Sequence, residues 1–214
     1  MLFLGTLSLE GMIAIVLAAL IGMTVHEFAH NYVGHLMGDP VPAREGRLTL
    51  NPIVHINWVG FLMFVLIGFG ILGQAPISPY RMRNPRWGYL AAVAAGPLSN
   101  LLLAIVFALV FRILQPMIIQ NQLVAAGTLF TILVYFNILL FVFNFLPFFP
   151  LDGWYIVYTL LPPDMARTWA SPRWQQYSQF AFFGIILLSF AGFNILGRLI
   201  GQPVNALTGL LLGF

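Results

Sequence analysis

Long apolar segments alternate with short polar ones along this chain, and the pattern predicts a bundle of membrane helices. Four apolar runs, at about 11–37, 89–113, 123–147 and 178–200, reach the roughly 20 residues that a bilayer span needs. A fifth run, 58–73, has only 16 residues and four glycines, which favours a re-entrant or tilted segment packed against protein. We therefore expect an all-α membrane protein, a multi-pass bundle of about four to six helices.

Two segments do not fit the helical pattern. Residues 44–57 resemble short extended pieces broken at Asn51-Pro52. The tail at 201–214 is apolar but contains Gly-Gln-Pro. The sequence leaves open whether this tail spans the bilayer, lies at its surface or packs on the bundle.

Composition supports a membrane protein and limits its metal chemistry. The chain of 214 residues is 60% hydrophobic and 7% charged, with a mean hydropathy of +0.93. Soluble domains carry roughly a quarter charged residues. Cysteine is absent, which excludes disulfides and thiolate ligands. A metal ion in this protein must therefore use histidine and carboxylate ligands.

The positive charge predicts membrane orientation rather than nucleic-acid binding. The net charge of +3 is carried by nine arginines and no lysine, and most of the arginines lie in short loops between apolar runs. Loops rich in basic residues stay in the cytoplasm. Seven loop arginines share the cytoplasmic side only if 58–73 does not cross: Arg44, Arg47, Arg81, Arg83, Arg86, Arg167 and Arg173. The first span then runs from outside to inside.

The first apolar run contains the pentapeptide His26-Glu27-Phe28-Ala29-His30, an HExxH pattern. On a helix, positions i and i+4 share a face, so the two histidines can bind one metal ion with the glutamate beside them. Ionisable groups are costly at membrane depth and usually serve chemistry or transport there. The alternative is a buried, hydrogen-bonded histidine pair with a glutamate partner.

A catalytic zinc ion usually takes three protein ligands, so a third ligand is needed. Asp152 directly follows the 123–147 run, whereas Asp164 lies in a basic loop. Asp152 is the better ligand, and it could also cap a helix. His30 lies about 10 Å from the inner end of the first span. If 58–73 does not cross, Asp152 reaches the same membrane side.

The remaining polar residues give weaker signals. His35 rotates off the ligand face and is expected at the interface, and His55 is expected to have a hydrogen-bonding structural role. Asn144 lies two turns before Asp152, and its buried amide needs partners. It could bind a substrate backbone or a neighbouring helix. Gly96-Pro97 indicates a kink or close helix packing.

Together these residues resemble the site-2 protease family of intramembrane zinc metalloproteases. The resemblance covers about residues 9–160. It is carried by four segments: HEFAH at 26–30, GRLTLNP at 46–52, Ala95-Gly96-Pro97 with Asn100, and Asn144 through Asp152-Gly153. Trp154 departs from the second glycine that is frequent in the family, and Asn57 departs from a frequent aspartate.

The resemblance implies a set of roles. His26, His30 and Asp152 would bind Zn²⁺, Glu27 would be the catalytic glutamate, and Asn144 would help to hold the substrate backbone. It also implies a short re-entrant β-hairpin-like segment near 44–57. No PDZ or CBS domain fits the length, so we expect one domain at 1–214, with a catalytic core at about 9–160 and C-terminal helices at about 176–214.

The function implied is that of a zinc metalloendopeptidase that cleaves membrane proteins within or near their transmembrane helices. The expected partners are a transmembrane-helix substrate and the lipid bilayer, with no nucleic acid. The expected location is multi-pass in the cell membrane, with the active site toward the cytoplasm. Two alternatives stay open: a proteolytically inactive scaffold of the same fold, and a metal-binding or transport protein. A transporter needs a polar pathway across the whole bilayer, and no inverted repeat is visible in the sequence.

Overall fold

A computed structural model describes residues 8–67, 70, 73 and 75–213, and these residues are mainly helical. The helices are α1 (Leu9–Leu36), α2 (Val41–Arg44), α3 (Pro52–His55), α4 (Trp58–Ile67), α5 (Pro85–Gln120), α6 (Val124–Asn144), α7 (Asp152–Leu160), α8 (Pro163–Trp169), α9 (Pro172–Leu188) and α10 (Gln202–Leu212). A 3₁₀ turn covers Pro79–Arg81, and π-helical turns cover Ser189–Phe193 and Gly197–Gly201.

Three helices in the described part of the chain, α1, α5 and α6, are long and apolar enough to cross a membrane. Their apolar side chains also face outward. Ile13, Leu17 and Ile21 recur at every fourth position of α1 and are all exposed, so they form one stripe along the helix. A soluble protein rarely exposes so continuous an apolar surface. The all-helical membrane class predicted from the sequence agrees with this arrangement.

Small residues let the three long helices approach one another closely. Ala18 and Ala19 of α1, together with Ala104 and Ala108 of α5, are almost completely buried. Membrane helices associate through such small side chains because lipid gives no hydrophobic drive for apolar helices to pair. Larger side chains of α6, such as Val134, fill the remaining space in the core.

The segment near 44–57 differs from the β-hairpin-like form expected. Within the described residues it contains the end of α2, the one-turn helix α3, and an isolated antiparallel bridge between Ile56 and Gly73. The dipeptide Asn51-Pro52 explains the difference. The Asn51 side chain accepts a hydrogen bond from the Ile53 N–H at 3.0 Å, and proline at the first helical position favours a helix start.

The apolar run at 178–200 also differs from the single span expected. Helix α9 ends at Leu188, and the chain then passes through Gly192 with φ of 99° and Asn194 with φ of 45°. Both angles lie in the left-handed region, which interrupts a continuous right-handed helix. The tail forms α10, which packs on α5 and α6 and buries Val204 completely.

Helix α7 begins with Asp152 and is held at both ends. A Cβ added to the next residue, Gly153, would overlap the backbone carbonyls of Phe145 and Leu146, so only glycine permits this close turn after α6. At the far end, Arg86 at the start of α5 donates to the carbonyl oxygens of Thr159, Leu160 and Leu161 at 2.8, 3.1 and 3.3 Å. The arginine thus satisfies carbonyls that a helix C-terminus leaves free.

Trp154, the departure from the family pattern, packs inside the protein. Its ring stacks on Trp169 of α8, with centroids 4.1 Å apart and planes inclined by 25°. The indole N–H of Trp169 also donates to the Trp154 carbonyl oxygen at 3.1 Å. The large side chain is therefore accommodated by α8.

We predict that Arg86→Lys lowers the stability of the protein, because an ammonium group cannot reproduce the planar fork that reaches three carbonyls. The expected loss is about 1 kcal/mol, since the side chain is largely exposed. The measurement is the thermal unfolding midpoint in detergent. Arg173→Lys on the exposed surface of α9 is the matched control, and an equal midpoint for both variants would contradict the capping role.

Candidate metal centre

Helix α1, which is long and apolar enough to cross a membrane, brings His26, Glu27 and His30 to one buried place. The three residues are 3%, 3% and 4% exposed. The two histidines are one helical turn apart, and their Nε2 atoms lie 3.0 Å from each other. The spacing of the HExxH pentapeptide therefore has the geometric consequence expected from the sequence.

The first residue of α7 completes the cluster. Oδ2 of Asp152 lies 3.1 Å from Nε2 of His26 and 3.3 Å from Nε2 of His30. These three residues form a group that could hold a metal ion. The residue that caps α7 is Leu151, not Asp152, so the carboxylate is directed at the histidines and does not serve as an N-cap.

The hydrogen bonds on the far side of each imidazole define which nitrogen faces the cluster. Nδ1 of His30 is 2.8 Å from the carbonyl oxygen of Ala92, and Nδ1 of His26 is 2.7 Å from Oδ1 of Asn100. Both partners are acceptors, so each Nδ1 carries the hydrogen. In a neutral imidazole the Nε2 atom then presents a lone pair. Metal-binding histidines usually show this arrangement.

Three atoms with free lone pairs therefore converge with no hydrogen between them. Such a set of ligand atoms fits a cation. Oδ2 of Asp152 is buried without a hydrogen-bond partner. Zinc in a tetrahedral site has ligand bonds of about 2.0–2.1 Å, which places neighbouring ligand atoms about 3.3 Å apart. The distances of 3.0, 3.1 and 3.3 Å within the cluster match this requirement.

Asp152 is present as the carboxylate, which is the form that binds a metal. An aspartate carboxyl group is ionised at neutral pH unless its surroundings oppose the charge, and a cation among the three ligand atoms would hold it in the charged form. Its place at the start of α7 also favours negative charge.

A polar network extends from the cluster into the bundle. Nδ2 of Asn100 donates to the carbonyl oxygen of Gly22 and to Oδ1 of Asn137, each at 3.0 Å. Asn137 in turn donates to the carbonyl oxygen of Leu133 at 2.8 Å. Both asparagines are completely buried. The network connects α1, α5 and α6, and it orients the Asn100 oxygen toward His26.

Gly96 of α5 lies directly against the imidazoles. A Cβ at this position would overlap the ring of His30 and would approach Nε2 of His26 to 2.8 Å. The Gly-Pro signal in the sequence thus marks close packing of helix α5 against the metal cluster. No other residue leaves this space free.

Glu27 occupies a buried position beside the ligands. Its Oε2 atom has no hydrogen-bond partner within the described residues. A Cβ at Gly73 would overlap the Glu27 carboxylate, so the chain at Gly73 passes against this side chain. The carboxylate therefore presents an unpaired acceptor atom beside the two histidines.

The other residues singled out in the sequence lie apart from the ligand set. His35 is exposed, and His55 is buried with Nε2 bonded to the carbonyl oxygen of Thr49 at 2.6 Å. Asn144 ends α6 and donates to the Leu140 carbonyl oxygen at 3.0 Å. Sequence reasoning gave no role to Asn137 or to the Ala92 carbonyl. A buried asparagine in an apolar helix is the signal that could have identified Asn137.

Comparison with known proteins identifies relatives. The chain is 37% identical over 157 residues to the protein named "Putative zinc metalloprotease YwhC" of Bacillus subtilis (strain 168), covering 71% of this chain and 70% of that protein. It is 29% identical over 192 residues to "Putative zinc metalloprotease Rip2" of Mycobacterium tuberculosis (strain ATCC 25618 / H37Rv), covering 86% and 70%. No family model matches the chain, and no solved structure does.

Apolar helices that enclose a histidine pair, an aspartate and a neighbouring glutamate define a membrane-embedded metalloprotein. The extent of similarity to the metalloprotease of Bacillus subtilis makes the assignment more specific. The chain belongs to the site-2 protease family of zinc metalloproteases, and the resemblance predicted from the sequence is confirmed.

We predict that Asn100→Ala weakens zinc binding by about 10- to 100-fold, the usual effect of losing a residue that orients a metal ligand. His26 would lose its Nδ1 acceptor, and Oδ1 of Asn137 would lose a donor. Chelator competition on detergent-purified protein measures the affinity. Asn121→Ala, at the exposed end of α5, serves as the control. Unchanged affinity in Asn100→Ala would contradict the orienting role.

We predict that Gly96→Ala removes zinc binding, because the added methyl group takes the space of the imidazole edges. Gly184→Ala is the matched control, since a Cβ there meets no atom within 4 Å and alanine favours a helix. Zinc content per chain and the thermal midpoint are measured together. A Gly96→Ala protein that holds one zinc would show that the backbone does not restrict the site.

Proposed function

We propose that this protein is an intramembrane zinc metalloprotease that hydrolyses peptide bonds within or near the transmembrane helices of membrane protein substrates. The observation that carries the proposal is that Asp152 of α7 converges with His26 and His30 next to a buried glutamate, on a helix α1 long enough to span a bilayer. The names of the relatives support zinc and proteolysis.

His26, His30 and Asp152 are the proposed zinc ligands. When bound, the ion would polarise a peptide carbonyl and would make a water molecule acidic enough to attack near neutral pH. Three protein ligands would leave one position of the ion for water or substrate, as catalytic zinc sites require. Asn100 and the Ala92 carbonyl keep the two imidazoles in the tautomer that binds.

Glu27 is the proposed general base. Its carboxylate would accept a proton from the attacking water and deliver that proton to the leaving amine. It lies one residue after His26, so it is rotated by about 100° from this ligand on the same helix. The carboxylate can therefore stand beside the reacting atoms without occupying a ligand position.

The proposed substrate is a transmembrane helix that unwinds locally, because the carbonyls of an intact helix are already hydrogen-bonded. Asn144, at the end of α6, is proposed to hold the unwound backbone. The 44–57 segment and the short helix α4 are proposed to be re-entrant elements that border this path. In α4, Val59 is 75% exposed and Leu62 is 57% exposed, which suits contact with lipid or with an apolar substrate.

The proposed location is the cell membrane, with the metal centre toward the cytoplasm. This orientation follows from the loop arginines and the positive-inside bias. If 58–73 does not cross the membrane, the end of α1 and the start of α7 lie on the same, cytoplasmic side. A scaffold without activity and a metal transporter are the outcomes that the following experiment would reveal in place of a protease.

We predict that Glu27→Gln retains one zinc per chain and lowers the cleavage rate by roughly 10²–10⁴-fold, because only the base is lost. Single-span reporter proteins are reconstituted with the purified protein in liposomes, and mass spectrometry locates the cut. Glu10→Gln, in the exposed first turn of α1, is the control.

The metal ligands are tested beside this variant. Asp152→Ala and His26→Ala are expected to lose zinc sharply along with activity. An active Glu27→Gln protein would contradict the base assignment. Wild-type protein that binds zinc but cuts no reporter would favour the scaffold, and flux of zinc into liposomes would favour the transporter.

A further inference from the structure

Unpartnered polar atoms concentrate around Glu27. Within the described residues, five buried side-chain atoms have no hydrogen-bond partner, and four of them belong to Glu27, Asn31, His55 and Asp152. The Asp152 atom belongs to the metal cluster. The atom of His55 lies outside the proposed catalytic machinery and has no assigned role.

The chemistry of the free His55 atom is well defined. Nε2 is 2.6 Å from the carbonyl oxygen of Thr49, which can only accept, so Nε2 carries the hydrogen. In the neutral imidazole, Nδ1 is then an acceptor. The residue is 2% exposed, so this acceptor is buried and requires a donor.

Backbone contacts bring His55 into the neighbourhood of Glu27. The Glu27 carboxylate lies against Gly73, Gly73 pairs with Ile56 in the antiparallel bridge, and His55 directly precedes Ile56. Helix α3, which ends at His55, packs on α1. The His55 imidazole is also within electrostatic reach of the Glu27 carboxylate.

Two acceptors cannot bond to each other, but one water molecule has two hydrogens and can satisfy both. We propose that Nδ1 of His55 and Oε2 of Glu27 share one water molecule, and that His55 is a positioning residue for Glu27. The shared donor would fix one carboxylate oxygen and leave the other directed at the reacting water. This inference rests on the proposed protease function.

A structural role and a positioning role make opposite demands on His55. A structural role needs only the Nε2–H bond to Thr49, which the longer amide of glutamine can reproduce. A positioning role needs the acceptor at the Nδ1 position, which the oxygen of the shorter asparagine amide can reproduce. The pair His55→Gln and His55→Asn therefore separates the two roles.

The kinetic test compares these variants with wild type in the liposome cleavage assay, with zinc content as a control. We expect both variants to keep one zinc and an unchanged KM. We expect kcat for His55→Gln to be about tenfold below that for His55→Asn, the scale of effect seen when an orienting partner is lost. A His55→Gln protein with wild-type kcat would overturn the proposal.

A spectroscopic test does not depend on cleavage. The chain has four histidines, so ¹⁵N-histidine spectra of the zinc-loaded protein are simple to assign by substitution. We expect the ¹⁵N chemical shift of His55 Nδ1 to be that of a hydrogen-bonded acceptor. We expect this chemical shift to change in Glu27→Gln but not in Glu10→Gln. An unchanged His55 Nδ1 chemical shift in Glu27→Gln would overturn the inference even if the protein is a protease. If the wild-type protein cuts no reporter but the His55 signal still shifts in Glu27→Gln, the shared water is supported and the proposed protease function fails.

Discussion

The contact of Asp152 with the two histidines is the interaction on which the rest of this structure depends. Three acceptor atoms lie 3.0–3.3 Å apart in a buried place, and such an arrangement is unfavourable without a cation among them. With a cation, the same contact joins α7 to α1. A bound cation would therefore stabilise the position of α7, which Gly153 and Arg86 already hold close enough for the contact to form.

Small residues allow the helices of the bundle to approach closely, and polar residues form hydrogen bonds between them. Alanines let α1 and α5 approach, and Gly96 lets α5 touch the imidazoles themselves. Asn100 and Asn137 then find partners on neighbouring helices at that short distance. In an apolar medium an unpaired amide is costly, so the close packing and the hydrogen bonds require one another. The network fixes the bundle and the tautomer of His26 together.

The sequence predicted that His26, His30 and Asp152 lie together, because helix geometry and the small number of carboxylates both limited the candidates. The i, i+4 spacing placed His26 beside His30, and few carboxylates were available as the third ligand. It did not predict the partner of His26, because Asn100 is distant in the chain and meets α1 only after the helices pack. It also missed the interruption at Gly192 and Asn194. Hydropathy does not register a change in the sign of φ, so the apolar run looked continuous.

Glu27 shows how one helix can present two candidate metal ligands and a candidate base in different directions. A residue adjacent to His26 must project about 100° away from it, so the two imidazoles face α5 and α7 while Glu27 faces the chain at Gly73. The side of α1 that carries Glu27 is therefore bordered by the segments around Ile56 and Gly73, not by the long helices. These segments contain buried acceptors such as Nδ1 of His55. The surroundings of Glu27 are built by short elements of the fold, whereas the partners of the two imidazoles, Ala92 and Asn100, lie on the long helix α5.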